Sequence, residues 1–361
     1  MTSTEERLES VRMIRASAAG IADRADLGRI RKLRFSEAGF DRQVLQQMCA
    51  LGWLGLRLSE DEGGSGLGMI EMCALAEALG AGLVPEPLIA TALATRVLAA
   101  PEREAALEGR LLALPAWQEQ AGDPYAPPSA SVRQGRISGR KLFVPSARGA
   151  DAFVVTAREG SFLVRADAPG VALEVVTLQD GSHAGTLVLD GVPAEALPGR
   201  IEAGLDDACL ATAAYLLGLT DAVLERTVAY LAVRKQFGAV IGTFQALQHR
   251  SVDLKLQAVL ARVSVEEAAR LCDANEGAGD RRAAVSRAKA RASDAALLVT
   301  RHAVQLHGGI GFTDECDIGL YLRKAMVLAP AFGGAAFHRS RYADLALDHA
   351  ADPSAARAQT T

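Results

Sequence analysis

The spacing of hydrophobic positions changes character along the chain. From about Glu5 to Leu98, apolar residues recur at every third or fourth position, the interval of helices that bury one face. Between about Leu111 and Leu197, short apolar runs alternate with turn residues such as Pro169-Gly170, which predicts a small antiparallel β domain. The helical interval returns after Asp206. The pattern therefore predicts helices, then strands, then helices.

The C-terminal helical pattern divides into four long segments that bury their apolar stripes against one another as an antiparallel bundle. The four predicted helices are Ala208–Gln236, Thr243–Asn275, Arg281–His307 and Ile318–Asp348. The predicted fold class is α+β, with an N-terminal helical domain over residues 1–110, a middle antiparallel β domain over 111–200 and a four-helix bundle over 201–350. Residues 351–361 are predicted to form a disordered tail.

Composition excludes several classes of protein. A net charge of -4 over 361 residues gives no broad cationic field, which argues against nucleic acid or an anionic membrane as the main partner. No apolar run approaches the ~18 residues of a membrane span, and the N-terminus lacks an apolar signal core, so a cytoplasmic location is expected. The cysteines form no C-x-x-C pair, which predicts reduced structural thiols and no metal site. They are Cys49, Cys73, Cys209, Cys272 and Cys316.

Two short motifs, each closing a predicted helix, carry the candidate chemistry. The first is R-K-Q-F-G at Arg234–Gly238, and the second is Q-L-H-G-G-I-G-F at Gln305–Phe312. Either one alone has a simpler explanation, because basic residues and glycines commonly end helices. Together with Ile241–Gln245 they form a pattern that chance does not explain.

These motifs, in this order and at this separation, resemble the dinucleotide-binding signature of the acyl-CoA dehydrogenase flavoprotein family. The stretch Leu51–Gly55 and the glycine-rich turn Glu62–Gly68 also look like that family, so the resemblance covers nearly the whole chain. It implies the family's three-part fold, FAD as cofactor and an acyl-CoA thioester as substrate.

The resemblance also implies which residues serve the flavin. Arg234 offers a planar, permanently charged fork for pyrophosphate oxygens, and Phe237 and Phe244 offer apolar surface. Gln245 follows Thr243, the predicted N-cap of the next helix, where free backbone N–H groups favour an anion. The full implied set is Arg234, Gln236, Phe237, Phe244, Gln245, Gln305, Gly308 and Gly309. In the family an adjacent subunit holds much of the ADP half, so these residues are expected to serve a flavin seated mainly in a neighbouring chain.

The position of the catalytic base departs from the family. A desolvated glutamate normally removes the α proton of the substrate. Counting from Arg323 places that position at Phe332, and the alternative position, counted back from Arg234, falls on Ala208. Neither side chain accepts a proton.

Three other side chains are candidates for a substitute base. Asp206 and Asp207 are more simply interpreted as N-cap residues of the first bundle helix. His338 stands beside Arg339 and Arg341 and is expected at the surface of its helix.

The flavin-ring side departs as well. The region that corresponds to the family's flavin and substrate loop reads Leu114–Asp123, and the stretch that cradles the flavin ring reads Phe143-Val144-Pro145, whose proline has no N–H. The resemblance then implies the base-less subunit of a heterotetrameric acyl-CoA dehydrogenase, paired with a second subunit of the same type and an acceptor like electron-transfer flavoprotein. Two alternatives stay open, a self-sufficient homomeric enzyme with an atypical base and a non-enzymatic flavin or acyl-CoA binding scaffold. The acyl group is not specified by any motif.

Overall fold

The computed structural model describes residues 4–274 and 277–351. They divide into two compact units, each discontinuous in sequence. The first unit takes residues 4–25, 69–83 and 209–351, and the second takes 26–68 and 84–208. The order of helices, strands and helices predicted from the pattern is confirmed.

The helices and strands of the described residues have the following bounds. The helices are α1 (Thr4–Ala19), α2 (Gly28–Leu33), α3 (Arg42–Ala50), α4 (Met69–Ala81), α5 (Leu88–Thr95), α6 (Ala100–Leu107), α7 (Leu205–Val233), α8 (Gln245–Asp273), α9 (Ala278–His307), α10 (Ile318–Leu328) and α11 (Ala335–Ala351). The strands are β1 (Ala113–Ala116), β2 (Ser131–Arg133), β3 (Arg136–Pro145), β4 (Ala152–Ala157), β5 (Gly160–Arg165), β6 (Val171–Thr177), β7 (His183–Pro193), β8 (Glu195–Ala196), β9 (Lys235–Gln236) and β10 (Ala239–Val240).

The first unit is helical and joins both ends of the chain. Helix α4 packs on α1 and α8, while α9 packs on α8, α10 and α11. Glycines allow α4 and α7 to touch backbone to backbone: a Cβ at Gly218 would lie 1.9 Å from the Glu77 carbonyl oxygen, and one at Gly80 would lie 2.0 Å from that of Tyr215. The expectation that no apolar run approaches the length of a membrane span was wrong, because the segment Ile201–Val233 is long and apolar enough to cross a membrane, but 89% of its most apolar window is buried. It is the central helix of a protein core.

Two of the predicted bundle helices differ from the structure. The fourth is interrupted at residues 329–334, so α10 and α11 replace one helix over Ile318–Asp348. Pro330 lacks the N–H that a continuous helix needs, and Gly333 follows it with a φ of 105°. The first ends at Val233 rather than Gln236, because the next residues form the β9–β10 hairpin.

The second unit contains two four-stranded sheets. One has the order β2-β3-β7-β6 and is antiparallel throughout, and the other has the order β1-β4-β5-β8. In the latter, β1 runs parallel to β4, which departs from the purely antiparallel prediction. The chain passes through β2 and β3 of the other sheet between these two strands, which leaves room for the crossover that a parallel pair requires.

The predicted domain boundaries at residues 110, 200 and 350 stay predictions, because the compact units are defined by contacts that join distant stretches of chain. The predicted disordered tail, 351–361, lies outside the described residues except for residue 351, where α11 ends.

Candidate functional site

The R-K-Q-F-G motif forms the β9–β10 hairpin immediately after α7. The Arg234 N–H closes the last helical turn by donating to the Tyr230 carbonyl at 2.9 Å. Gln236 pairs with Ala239, so Phe237 and Gly238 are the two central residues of the turn, with φ angles of 53° and 78°. Such turns favour glycine at both positions, and a left-handed phenylalanine is unusual. The hairpin holds the Phe237 ring 92% exposed.

The second motif forms a 3₁₀ turn, Gly308–Phe312, at the end of α9. Gly308 adopts a φ of 65°, and its N–H donates to the Gln305 carbonyl and closes the helix. A Cβ at Gly311 would lie 2.5 Å from the Val304 carbonyl oxygen, so the turn folds tightly back on the helix. Phe312 is left 75% exposed.

One stacked pair joins the two motifs. The Tyr230 ring lies 4.3 Å from the His307 ring at an interplanar angle of 20°, and the Tyr230 hydroxyl donates to the His307 carbonyl at 3.3 Å. Burial lowers the pKa of His307, which keeps the imidazole neutral, and its Nδ1–H donates to the Ala303 carbonyl at 2.8 Å. The ends of α7 and α9 are therefore adjacent. Sequence analysis gave neither residue a role in the site, although His307 belongs to the second motif and Tyr230 lies one helical turn before the first.

The predicted cofactor residues share one property, which is exposure to solvent. Exposed members are Arg234, Gln236, Phe237, Gln245, Gln305, Gly308 and Gly309, and Phe244 is half-buried. The Phe237 and Phe244 rings approach to 6.4 Å between centroids. A surface that carries so much uncovered aromatic area on a folded chain is typical of a site completed by another molecule.

The charge at this surface is uncompensated within the described residues. No carboxylate there lies within ion-pair distance of Arg234 or Lys235. The start of α8 adds backbone donors, because Phe244 is its N-cap and contributes no side-chain bond. The prediction that Thr243 caps α8 was wrong, because its hydroxyl donates to the Val240 carbonyl at 2.7 Å. The arrangement suits an anionic ligand with an apolar portion.

The candidate base positions carry no proton acceptor. Phe332 is half-buried in the segment between α10 and α11, with a φ of 58°, and Ala208 is buried. Asp207 is ion-paired to both Arg57 and Arg96, so its carboxylate has a structural role. Asp206 lies half-buried beside it in the first turn of α7 rather than at an N-cap.

His338 is buried, and the expectation of a surface position was wrong. The side chain is 0% exposed, and its Nε2 lies 3.0 Å from the Phe332 carbonyl and 3.6 Å from the Cys209 sulfur. Burial, with the nearby positive charges of Lys289 and Arg341, lowers the pKa of His338 to about 3. An imidazole with so low a proton affinity is poorly suited to remove a substrate proton.

In the second unit, the stretch Leu114–Asp123 is fixed by a buried ion pair. Lys141 is 0% exposed, and its Nζ donates to Glu119 at 2.5 Å, to the Thr156 hydroxyl at 2.8 Å and to the Trp117 carbonyl at 3.4 Å. Glu119 also accepts from the Ser129 and Ala130 backbone N–H groups. The ion pair and these hydrogen bonds therefore hold the loop after β1 in a defined conformation.

Phe143, in the stretch expected to face the flavin ring, is half exposed with a φ of 56°. Pro145 ends β3, opposite Ala184 of β7.

The cysteines form no disulfide in the part of the chain that is described, and four of the five are buried. No group of three His, Cys, Asp or Glu residues with metal-binding proximity occurs among those same residues.

Comparisons with known proteins agree with this geometry. The family model described as "Acyl-CoA dehydrogenase, C-terminal domain" matches residues 199–347, and "Acyl-CoA dehydrogenase, N-terminal domain" matches residues 9–102. Acyl-CoA dehydrogenase IpdE2 of Mycolicibacterium smegmatis is 30% identical over 336 residues, which cover 90% of this chain and 95% of that protein.

Two solved structures extend the likeness to three dimensions. The Tcur3481-Tcur3483 steroid ACAD G363A variant superposes with a TM-score of 0.86 at 34% identity and covers 95% of this chain and 99% of its own. The ChsE4-ChsE5 complex from Mycobacterium tuberculosis gives a TM-score of 0.84 at 25% identity, covering 98% and 99%. With the matched fold, the two family models and the paired motifs at the ends of α7 and α9, the chain belongs to the acyl-CoA dehydrogenase family.

Proposed function

We propose that the chain is the subunit of an FAD-dependent acyl-CoA dehydrogenase that lacks the catalytic carboxylate and works in a heteromeric enzyme. The reaction is α,β-desaturation of an acyl-CoA thioester. One observation carries the proposal: the ADP-side surface, made up of the predicted cofactor residues around Arg234, is exposed, while Phe332 and Ala208 stand at the two positions where the resemblance places the family's base.

The residues of the ADP-side surface fit FAD. The Arg234 guanidinium has no ion-pair partner in the described part of the chain and suits the pyrophosphate, to which it would donate charge-assisted hydrogen bonds. Phe237 and Phe244 would flank the adenosine, and the exposed glycines Gly308 and Gly309 allow close approach of a ligand to the backbone. When bound, FAD supplies the acceptor for the hydride that leaves the β carbon of the substrate.

Exposed apolar area supports an oligomer. Besides the flavin surface, α8 carries a stripe of aliphatic side chains on one face, at intervals of three and four residues. The stripe comprises Val252, Leu256, Val259, Leu260 and Val263, each between 42% and 58% exposed. The two named structural neighbours are pairs of different polypeptides according to their names, which favours a second acyl-CoA dehydrogenase-type subunit over a homo-oligomer.

An electron-transfer flavoprotein-like acceptor completes the proposed cycle. A solved structure named for the electron transferring flavoprotein of Acidaminococcus fermentans contains a chain that matches this fold with a TM-score of 0.81 at 26% identity. We propose a cytoplasmic location, as expected from the composition.

The proposal is tested by anaerobic reduction of the bound flavin. The isolated chain reconstituted with FAD, and the assembly purified from the native host, each receive a panel of acyl-CoAs that includes steroid thioesters, while the absorbance of oxidised flavin is followed. Bleaching is expected only in the assembly. Rapid stoichiometric bleaching of the isolated chain, abolished by Asp206→Asn, Asp207→Asn or His338→Gln, would establish the self-sufficient enzyme instead. Flavin binding without bleaching in either sample would establish a scaffold.

Replacing Arg234 by alanine is expected to weaken FAD retention tenfold or more in the native assembly. The change removes a charge-assisted contact worth about 1.5 to 3 kcal/mol. Flavin-to-protein ratio after gel filtration measures the loss. Arg133→Ala is the matched control, because Arg133 is an exposed arginine on β2 in the other unit. Equal flavin content in the two variants would remove Arg234 from the site.

A further inference from the structure

Lys289 is a buried cation without a carboxylate partner among the described residues. It lies in the middle of α9 with 0% exposure. Its Nζ donates to the Ser293 hydroxyl at 2.9 Å and to the carbonyls of Ala329 at 2.7 Å, Gly333 at 3.2 Å and Leu328 at 3.4 Å. All its partners are neutral oxygens, and three of them are main-chain oxygens where α10 ends and the following segment turns.

These carbonyl oxygens interact with a positive charge more favourably than most neutral groups do. The last carbonyls of a helix have no intrahelical donor and carry the negative end of the helix dipole. Lys289 therefore acts as a C-terminal cap that reaches α10 from a different helix. The segment that it caps is residues 329–334, the interruption between α10 and α11.

His338 holds the same segment from α11. Because its imidazole is neutral, the Nε2–H donates to the Phe332 carbonyl at 3.0 Å. Lys289 and His338 together thus bind the carbonyls of four residues that flank and include position 332. None of these bonds involves the side chain at 332.

The segment needs such support because its backbone is strained. Phe332 adopts a φ of 58°, a left-handed conformation that costs a bulky residue free energy. Gly333 follows at 105°, and a Cβ there would lie 2.6 Å from the Phe337 ring. Two consecutive left-handed residues persist only where their surroundings fix them.

We propose that Lys289 and His338 are positioning residues that clamp the main chain of segment 329–334 and so fix the direction of whatever side chain stands at position 332. The proposal rests on the proposed function in one respect, since position 332 matters for catalysis because the family places its base there. The clamp itself is independent of the residue at 332. A phenylalanine and a carboxylate would be presented from the same backbone.

The clamp predicts an unusual dependence on pH. Burial lowers the pKa of Lys289 to about 8. The groups that face it are Ser293 on its own helix, Cys209 on α7 and His338 on α11, and Arg341 acts on His338 from the same helix. Opening the segment would hydrate Lys289 and return its pKa toward the ordinary 10.5, so the open state binds more protons between these two values. Raising the pH from about 8 toward 10 therefore favours the closed segment.

Hydrogen exchange of the full-length chain tests the proposal at the amides of Ala329, Ala331 and Gly333, which all donate within this region. Lys289→Met is expected to lower their protection about tenfold or more, because three carbonyls lose a charged donor. Lys255→Met is the control, since Lys255 lies in the same unit on α8 but is exposed and has a carboxylate partner. Unchanged protection in Lys289→Met, or equal loss in Lys255→Met, would overturn the clamp.

The pH dependence of hydrogen exchange in the wild-type protein is a second test, which needs no variant. After correction for the intrinsic exchange rate, protection of the three amides is expected to rise by up to about tenfold per pH unit above pH 8. Protection that is independent of pH would contradict the role of Lys289, and His338→Phe should lower protection while keeping the pH trend. Both tests use the isolated chain without flavin or substrate, so they are decided whether or not the proposed function holds. Loss of flavin bleaching in a Lys289→Met assembly would then connect the clamp to catalysis.

Discussion

Gly218→Ala is expected to lower the free energy of unfolding by roughly 3 kcal/mol or more, an unusually large effect for the addition of one methyl group. The new Cβ would lie 1.9 Å from the carbonyl oxygen of Glu77 in α4, far inside van der Waals contact. Relief requires the two helices to separate, because the obstacle is backbone and the reciprocal contact at Gly80 is equally close. Denaturant titration measures the loss, with the midpoint and slope compared to those of the wild type.

Gly319→Ala makes the same chemical change with the opposite expected sign. Gly319 lies in α10, and a Cβ there would meet nothing within 4 Å. Alanine in a helix is favoured over glycine by about 0.5 to 1 kcal/mol, so this variant should be slightly more stable than the wild type. Similar destabilisation of both variants would mean that the close contact with Glu77 does not explain the effect at Gly218.

Lys141→Met is expected to destabilise the protein by about 3 to 5 kcal/mol, because it leaves a carboxylate without its cation in a nearly buried place. The Glu119 side chain is only 11% exposed. Burial raises the pKa of Glu119, but the hydrogen bonds from Lys141 and Ser129 outweigh it and leave the pKa below its ordinary value. Thermal or denaturant unfolding checks the size of the effect, and tryptophan fluorescence reports on Trp117, whose carbonyl accepts from Lys141.

The double variant Lys141→Met with Glu119→Gln separates the lost pair from the lost volume. Removing the stranded charge should restore part of the stability, which a double-mutant cycle quantifies. A lowered carboxyl pKa contributes stability that is present above the ordinary carboxyl range and lost as the pH falls through the folded value. The wild type should therefore lose more stability in acid than the double variant. A double variant as unstable as Lys141→Met alone would show that packing, rather than charge, is responsible.

Sequence patterns predicted the order of elements, because that order depends on local spacing, while the assignment of the ADP-side surface from motifs at helix ends stays a prediction. The same reasoning failed at Pro330, where the apolar rhythm of α10 continues into α11 and conceals a break. It failed again at His338, since neighbouring arginines suggested exposure, whereas the helix turns that one position inward against Cys209.

The burial of two lysines could not be predicted from the local sequence either. Lys141 and Lys289 are satisfied by partners on other elements, with Ala329 lying far along the chain from Lys289. A single sequence read locally predicts such residues at the surface. The same limit applies to Tyr230 and His307, whose stacking depends on how α7 and α9 end beside each other.

The discontinuity of the helical unit has a consequence for biosynthesis. Residues 26–68 and 84–208 are all synthesised before most of α7, so the polypeptide of the β-containing unit precedes the helix that completes the other unit. Helix α4 follows α1, one of its partners, but its backbone contact with α7 must wait for residues that begin 125 or so positions later, roughly 6 to 25 seconds at ordinary elongation rates. During that interval its apolar surface, including Met69 and Leu75, is a natural target for a nascent-chain chaperone. Faster folding of the second unit would shorten no part of this delay, because translation alone sets it.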